Sequence, residues 1–163
     1  DLPQPVIAAV NGACVGAGLA LSLAADIRIC STAATFGNAA ILLGLSGAEM
    51  GGMSYHLPPR IVGAGGVAAD WMLTGRTVSA EEADRRGLVS QLVEPEKLVE
   101  RSVDVARGGV AELAPFGVQL TKRALQVNIA AAGGLGPALE LENRNQVLSH
   151  ATDDAAARRS SRS

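Results

Sequence analysis

Apolar positions change their spacing along the chain, and the changes mark its elements. From Pro5 to Val10 they run unbroken (PVIAAV), β-branched and apolar on both faces. That predicts a strand covered on both sides, as in α/β layers. Asn11-Gly12 turns the chain, and Gly16-Ala17-Gly18 leads into Leu19, Leu21, Leu23 and Ala24. The apolar run Ala13–Ala25 reads as a buried helix, too short to cross a bilayer and closed by Asp26 and Arg28. Ile27–Cys30 reads as a second short strand, completing a strand, glycine turn, helix, strand unit.

From Thr35 to Gly52 glycine and alanine predominate, which predicts a loop-rich wall with a short strand around Phe36. Ser46-Gly47-Ala48-Glu49 matches a capping box and starts a helix that Pro58-Pro59 stops. A helix from Gly66 to Leu73 follows, ending near Gly75. Ser79-Ala80-Glu81-Glu82 is a second capping box, for a short helix that Gly87 ends, and Val89–Val93 is a strand. Beyond Pro95 the period is helical: Lys97–Leu113, Phe116–Ala131 and Pro137–His150, with Leu120, Ala124, Val127 and Ala131 along one stripe. The expected organisation is an α/β part (residues 1–93), a helical part (94–150) that covers the pocket or builds an oligomer, and a tail (151–163). The tail's Ala157-Arg158-Arg159-Ser160 run breaks the preceding pattern and reads as a shifted reading frame.

Composition narrows the class. With 48% hydrophobic and 18% charged residues the chain is not disordered. Only 2% is aromatic and 19 residues are glycine, so the core must be aliphatic side chains and close backbones. A net charge of −2 with no basic stripe argues against nucleic acid, and nothing predicts a membrane span. Cys14 and Cys30 cannot form a disulfide framework, so a cytoplasmic location is expected.

The glycine turn Gly12-x-x-x-Gly16-Ala17-Gly18 is the first chemical candidate. Glycines between a strand and a helix leave free N–H groups at the helix start, which bind anions, including a transient oxyanion. Tight strand–helix packing explains the same glycines equally well. The turn lacks the third glycine of a dinucleotide fingerprint, and no phosphate-loop lysine follows.

The runs PVIAAVNGACVGAGLALSLAADIRIC, TFGNAAILLGLSGAEMGG, LPPRIVG, MLTGRTVSAEEADRRGLVSQLV and APFGVQLTKRAL occur in one order between Pro5 and Asp154. Together they resemble the enoyl-CoA hydratase/isomerase (crotonase) family, and specifically its C-terminal part. The resemblance implies an α/β fold, a partial crotonase-like spiral of strand–strand–helix units with a helical C-terminal region. It implies a lyase or isomerase of fatty-acid metabolism acting on acyl-CoA thioesters through an enolate. The enolate oxygen would be held by two backbone N–H groups, one of them that of Ala17, with Gly16, Gly18 and Phe36 against the substrate. The other donor belongs to a motif upstream of anything in this sequence. The two glutamates of the family's hydratases align with Ala20 and Ala40, and alanine can neither activate water nor protonate carbon. Glu49 lies near the position where dienoyl-CoA isomerase relatives carry an aspartate, making it the candidate acid/base. Its place in the capping box gives it a purely structural role as well. No metal or redox cofactor is implied, CoA arriving as part of the substrate, and relatives suggest a homotrimer or hexamer. The alternative is a catalytically inactive remnant or an assembly-only subunit.

The remaining candidates have plainer readings. His56 lacks a partner cluster, Cys14 reads as an apolar filler, and Arg76 as a local pair. Lys122-Arg123 reads as a solvated helix face, the alternative being contact with CoA phosphates.

Overall fold

The computed structural model describes residues 2–39, 42, 57 and 64–130. They belong to two compact units, Val6–Asp104 and Asp1–Pro5 with Val105–Ser163. The first is an α/β unit with two three-stranded sheets. In one, β1 (Ile7–Val10), β3 (Ile27–Ser31) and β6 (Gln91–Val93) lie side by side in that order, all parallel. In the other, β2 (Ala13–Val15) runs parallel to β4 (Thr35–Gly37), and β4 pairs antiparallel with β5 (Val78–Ser79). Helices α1 (Ala17–Ala24), α2 (Ala64–Thr74), α3 (Ala80–Arg85) and α4 (Leu98–Asp104) connect or flank the strands, with a 3₁₀ turn at Pro95–Lys97. Each strand of the pairs β1/β2 and β3/β4 thus enters a different sheet, and β3 and β4 lie beside the strands two places earlier.

The core draws on both sheets: Val10, Cys14, Leu19, Leu23, Cys30, Phe36, Trp71, Val78 and Leu88 cluster together. Burying a side chain such as Leu23 completely contributes about 1.5–3 kcal/mol. Alanines 20, 34, 68, 80 and 83 are also buried, so backbones approach closely, as the composition requires. Arg28 is buried too (8% exposed), and nothing in the sequence pattern signals it. Its Nη1 donates to the carbonyls of Ser22 (3.0 Å) and Ala25 (2.7 Å), and its Nε to that of Leu88 (2.8 Å). The guanidinium thereby closes the C-terminal end of α1, where a cation also complements the helix dipole.

Several elements differ from those the sequence predicts. The run Ala13–Ala25 is not one helix: Ala13–Val15 is the strand β2, and helix begins only at Ala17. Gly16 breaks the run, and β2 gains ladder bonds from β4, some twenty residues on, which local periodicity cannot register. Strand β1 is not covered on both faces, because Ala9 is exposed. The helix expected over Lys97–Leu113 is α4 followed by a π-helical segment, Val105–Ala111, containing Gly108-Gly109. Two adjacent glycines weaken helix propensity enough for the ladder to widen there.

In the second unit α5 (Pro115–Ala130) follows the expected helix closely. Pro115 occupies its first position, where a missing N–H costs nothing. Leu120 and Ala124 are half-buried, and Val127 of the same stripe is exposed. Lys122 is not solvated as expected: only 9% exposed, it donates from Nζ to the Gln4 carbonyl at 2.7 Å. No helix among the described residues is long and apolar enough to cross a membrane. The helices expected over 46–57 and 137–150, and the 151–163 tail, lie outside the described residues apart from Leu57, which is buried.

Candidate active site

The glycine turn folds as a junction between β2 and α1. Gly16 has φ 52° and ψ −120°, a conformation that side-chain-bearing residues avoid, so this position requires glycine. Its N–H donates to the Gly37 carbonyl at the end of β4 (3.2 Å), and its own carbonyl accepts from Ala20 N–H (3.1 Å). The turn is therefore fixed on both sides by backbone alone. Among the described residues no side chain caps α1, and its first turn contains no acidic residue. The N–H groups of Ala17, Gly18 and Leu19 precede the first intrahelical bond, and Ala17 and Gly18 are exposed. This arrangement presents amide donors and the positive end of a helix dipole toward solvent.

Phe36 lies just behind the turn. It pairs in register with Cys14 on one side and Val78 on the other, and is 1% exposed. Phe36, Leu19, Leu57, Trp71 and Val78 line a hollow of about 10 Å³, close to the space one water needs. Asn38 borders it as well: its Nδ2 donates to the Met72 carbonyl (3.2 Å), while its buried Oδ1 has no partner among the described residues. One carbonyl in an otherwise apolar lining is fewer than the two to four polar partners that hold a water. The hollow is a packing gap, far too small for an acyl chain. Among the described residues its lining includes no ionisable side chain.

Ala20, one turn into α1, is 7% exposed and packs in the apolar core. Ala40, Glu49 and His56 lie outside the described residues. Among the described residues no group of histidine, cysteine and carboxylate side chains is placed to hold a metal. Both cysteines are free and buried. Burial raises the Cys14 thiol, with Ser22 beside it offsetting a little. Burial, and to a lesser degree Asp84 and Glu81, push Cys30 up to about 11.

Arg76 pairs locally, as the sequence suggested. It donates to Glu82 through Nη1 (2.9 Å) and Nη2 (2.7 Å), and to Asp70 Oδ2 through Nε (2.7 Å). Trp71 Nε1 adds a bond to Glu82 at 3.3 Å. This cluster ties the end of α2 to the start of α3. Its hydrogen bonds, chiefly those from Arg76, hold the Glu82 carboxyl below its usual range. Asp26 is similarly occupied, accepting from the Val6 N–H at 2.7 Å. The structure therefore brings Gly16, Ala17 and Gly18 together at one exposed helix start with Phe36 buried behind them, and commits Asp26, Asp70 and Glu82 to structural bonds.

Comparison with known proteins bears on what such a site does. A family model described as enoyl-CoA hydratase/isomerase matches residues 1–160. The chain is 50% identical over 134 residues to the probable enoyl-CoA hydratase EchA12 of Mycobacterium tuberculosis, covering 80% of this chain and 45% of that protein. It superposes on the crystal structure of a probable enoyl-CoA hydratase/isomerase from Mycobacterium abscessus with a TM-score of 0.87 and 39% identity. That match covers 98% of this chain and 61% of the other. A monofunctional enoyl CoA isomerase from M. smegmatis matches with a TM-score of 0.75 and 43% identity, covering 85% of this chain and 62% of the other. The chain spans a little under half the length of the curated relative.

Proposed function

This chain belongs to the enoyl-CoA hydratase/isomerase family, and on that premise we propose that it forms the C-terminal part of an acyl-CoA enzyme whose Ala17 N–H stabilises a thioester enolate. The observation that carries the reading is the uncapped start of α1, held in place by Gly16 at positive φ. Donors fixed by the backbone before the reaction need no reorganisation as negative charge develops on the thioester oxygen. Gly18 adds a neighbouring amide, and Gly16 leaves the approach free of side chain. The second donor of the oxyanion pair comes from a segment outside residues 1–163.

The chemistry we propose is proton transfer next to the thioester rather than hydration by a glutamate pair. Positions 20 and 40 are alanine, and Ala20 is buried within the apolar cluster, where a lone carboxylate is costly. Glu49 is then the acid/base, taking a proton from one carbon of the enoyl chain and returning it to another. CoA enters as part of the substrate, with no resident metal or redox cofactor, and the protein assembles as a trimer or hexamer. An inactive, assembly-only subunit is the second reading, favoured by the same alanines.

Paired variants separate these readings, assayed with 2-enoyl- and 3-enoyl-CoA thioesters on the chain fused to the unmatched part of the M. tuberculosis relative. Ala17→Pro removes one N–H at a helical position that tolerates proline. It is expected to lower kcat about 10²–10³-fold with KM little changed. Glu49→Gln is expected to abolish turnover while acyl-CoA still binds. Full activity in Ala17→Pro removes the oxyanion role, full activity in Glu49→Gln removes the acid/base role, and binding without turnover in the parent favours the assembly-only subunit.

A further inference from the structure

We propose that Asn38 is a positioning residue for the Ala17 amide, fixing through Gly37 and Gly16 the direction in which that N–H points. A series of contacts carries this inference. Asn38 Nδ2 donates to the Met72 carbonyl at 3.2 Å and lies 3.9 Å from Met72 Sδ. The Gly37 carbonyl, in the same planar peptide unit as the Asn38 nitrogen, accepts from Gly16 N–H at 3.2 Å. The next peptide unit joins the Gly16 carbonyl to the Ala17 N–H, and that carbonyl accepts from Ala20 N–H at 3.1 Å. The role of Ala17 itself is that of the proposed function, on which this inference rests.

Gly16 is the weak point of that path. It has no Cβ to limit its rotation, and among the described residues nothing lies within 4 Å of where one would stand. Packing therefore does not hold Gly16, and its two backbone bonds must. Gly37 is enclosed by contrast: a Cβ there would stand 3.6 Å from Val15 Cγ1 and 3.6 Å from the Arg76 carbonyl. The firm end of the path is thus the peptide between Gly37 and Asn38. It lies against β2 and the Arg76 backbone, and is tied to α2 through the Asn38 side chain.

Stability does not account for the asparagine. Met72 lies in the last turn of α2, where carbonyls lack intrahelical partners, and Asn38 satisfies one of them. In doing so it buries its own Oδ1 with no partner among the described residues, at a position only 1% exposed. One unpaired carbonyl is exchanged for another, so the bond brings little net gain in hydrogen bonding. What the side chain adds is a short, stiff tether between the end of β4 and α2. That tether gives the Gly37 carbonyl, and the Gly16 N–H that it receives, a fixed direction.

Amide hydrogen exchange and kinetics test it together. In the full chain and in the fused protein of the activity assay, Asn38→Leu keeps the branched shape and loses the donor. Exchange at the Gly16 amide is expected to speed up about tenfold in that variant. In the fused protein kcat is expected to fall about tenfold, with KM and the urea midpoint little changed. Asn38→Ala, which adds no bulk, is expected to move exchange and kcat the same way and serves where Asn38→Leu does not fold. In the Ala17→Pro background Asn38→Leu is expected to cost nothing further, because the amide it positions is already gone. Unchanged Gly16 exchange overturns the proposal. So does an equal loss of kcat in both backgrounds, which would mean that Asn38 acts elsewhere. A loss of kcat in Asn38→Leu only in step with a lower urea midpoint overturns it too, as a merely structural effect. Faster Gly16 exchange with full activity in Ala17→Pro leaves the tether standing and removes the oxyanion reading; loss of turnover in Ala17→Pro with Asn38→Leu unaffected does the reverse.

Discussion

Helices α1 and α3 begin in opposite ways. Ser79 opens α3 from an extended conformation, its hydroxyl accepts from Glu82 N–H at 3.2 Å, and Glu81 and Glu82 occupy the first turn. Gly16 opens α1 from a positive φ, with no side-chain cap among the described residues and no acid in the first turn. A cap contributes about 1 kcal/mol and a favourable first-turn charge about 0.3–1 kcal/mol more. Helix α1 forgoes both and is held instead by buried Leu19 and Leu23 on one side and by Arg28 at its far end. Where local sequence leaves a helix start unsealed, packing elsewhere supplies the stability, and the free amides become available for chemistry. Where the start is sealed, as at Ser79, it serves the fold alone.

Substitutions at the two starts measure that difference. Gly16→Val forces a β-branched residue into a forbidden backbone region and is expected to cost about 1–3 kcal/mol in urea unfolding. An unchanged midpoint would mean that α1 does not depend on the Gly16 turn. Ser79→Ala is expected to cost less, about 1 kcal/mol, with enoyl-CoA turnover unaffected in the fused protein. A loss of turnover there would erase the distinction between a sealed and a working helix start. The smallest effect is in acid. Arg76 holds the folded-state value of Glu82 below its unfolded one, so this contribution is complete above the ordinary carboxylate range. It drains away as pH falls through the lowered value. Glu82→Gln should flatten that part of the acid decline in thermal unfolding, and added salt should shrink the difference because the pair is partly exposed.

Much of the fold was legible wherever a signal is local. An unbroken apolar run marked β1, the short stretch Ile27–Cys30 marked β3, the Ser79 box marked α3, and a helical stripe from Phe116 onward marked α5. The short strands β2 and β5 were not, because two or three residues have no period and their ladders close onto partners distant in sequence. The helix start at Ala17 was readable from Gly16. The burial of Arg28 and Lys122 was not, since both donate to backbone carbonyls, which every residue possesses and no sequence pattern advertises. At the site, alanine at position 20 was plain in the sequence, while its burial in the apolar cluster became visible only in the packing.

The bonds of Arg28 have an evolutionary consequence. Because the guanidinium addresses the carbonyls of positions 22, 25 and 88, it places no demand on the side chains there. What limits those three positions is their own burial, whereas position 28 is limited by the three bonds that its guanidinium makes. The Ala17 N–H is likewise a main-chain group, so it too is present whatever side chain occupies its position.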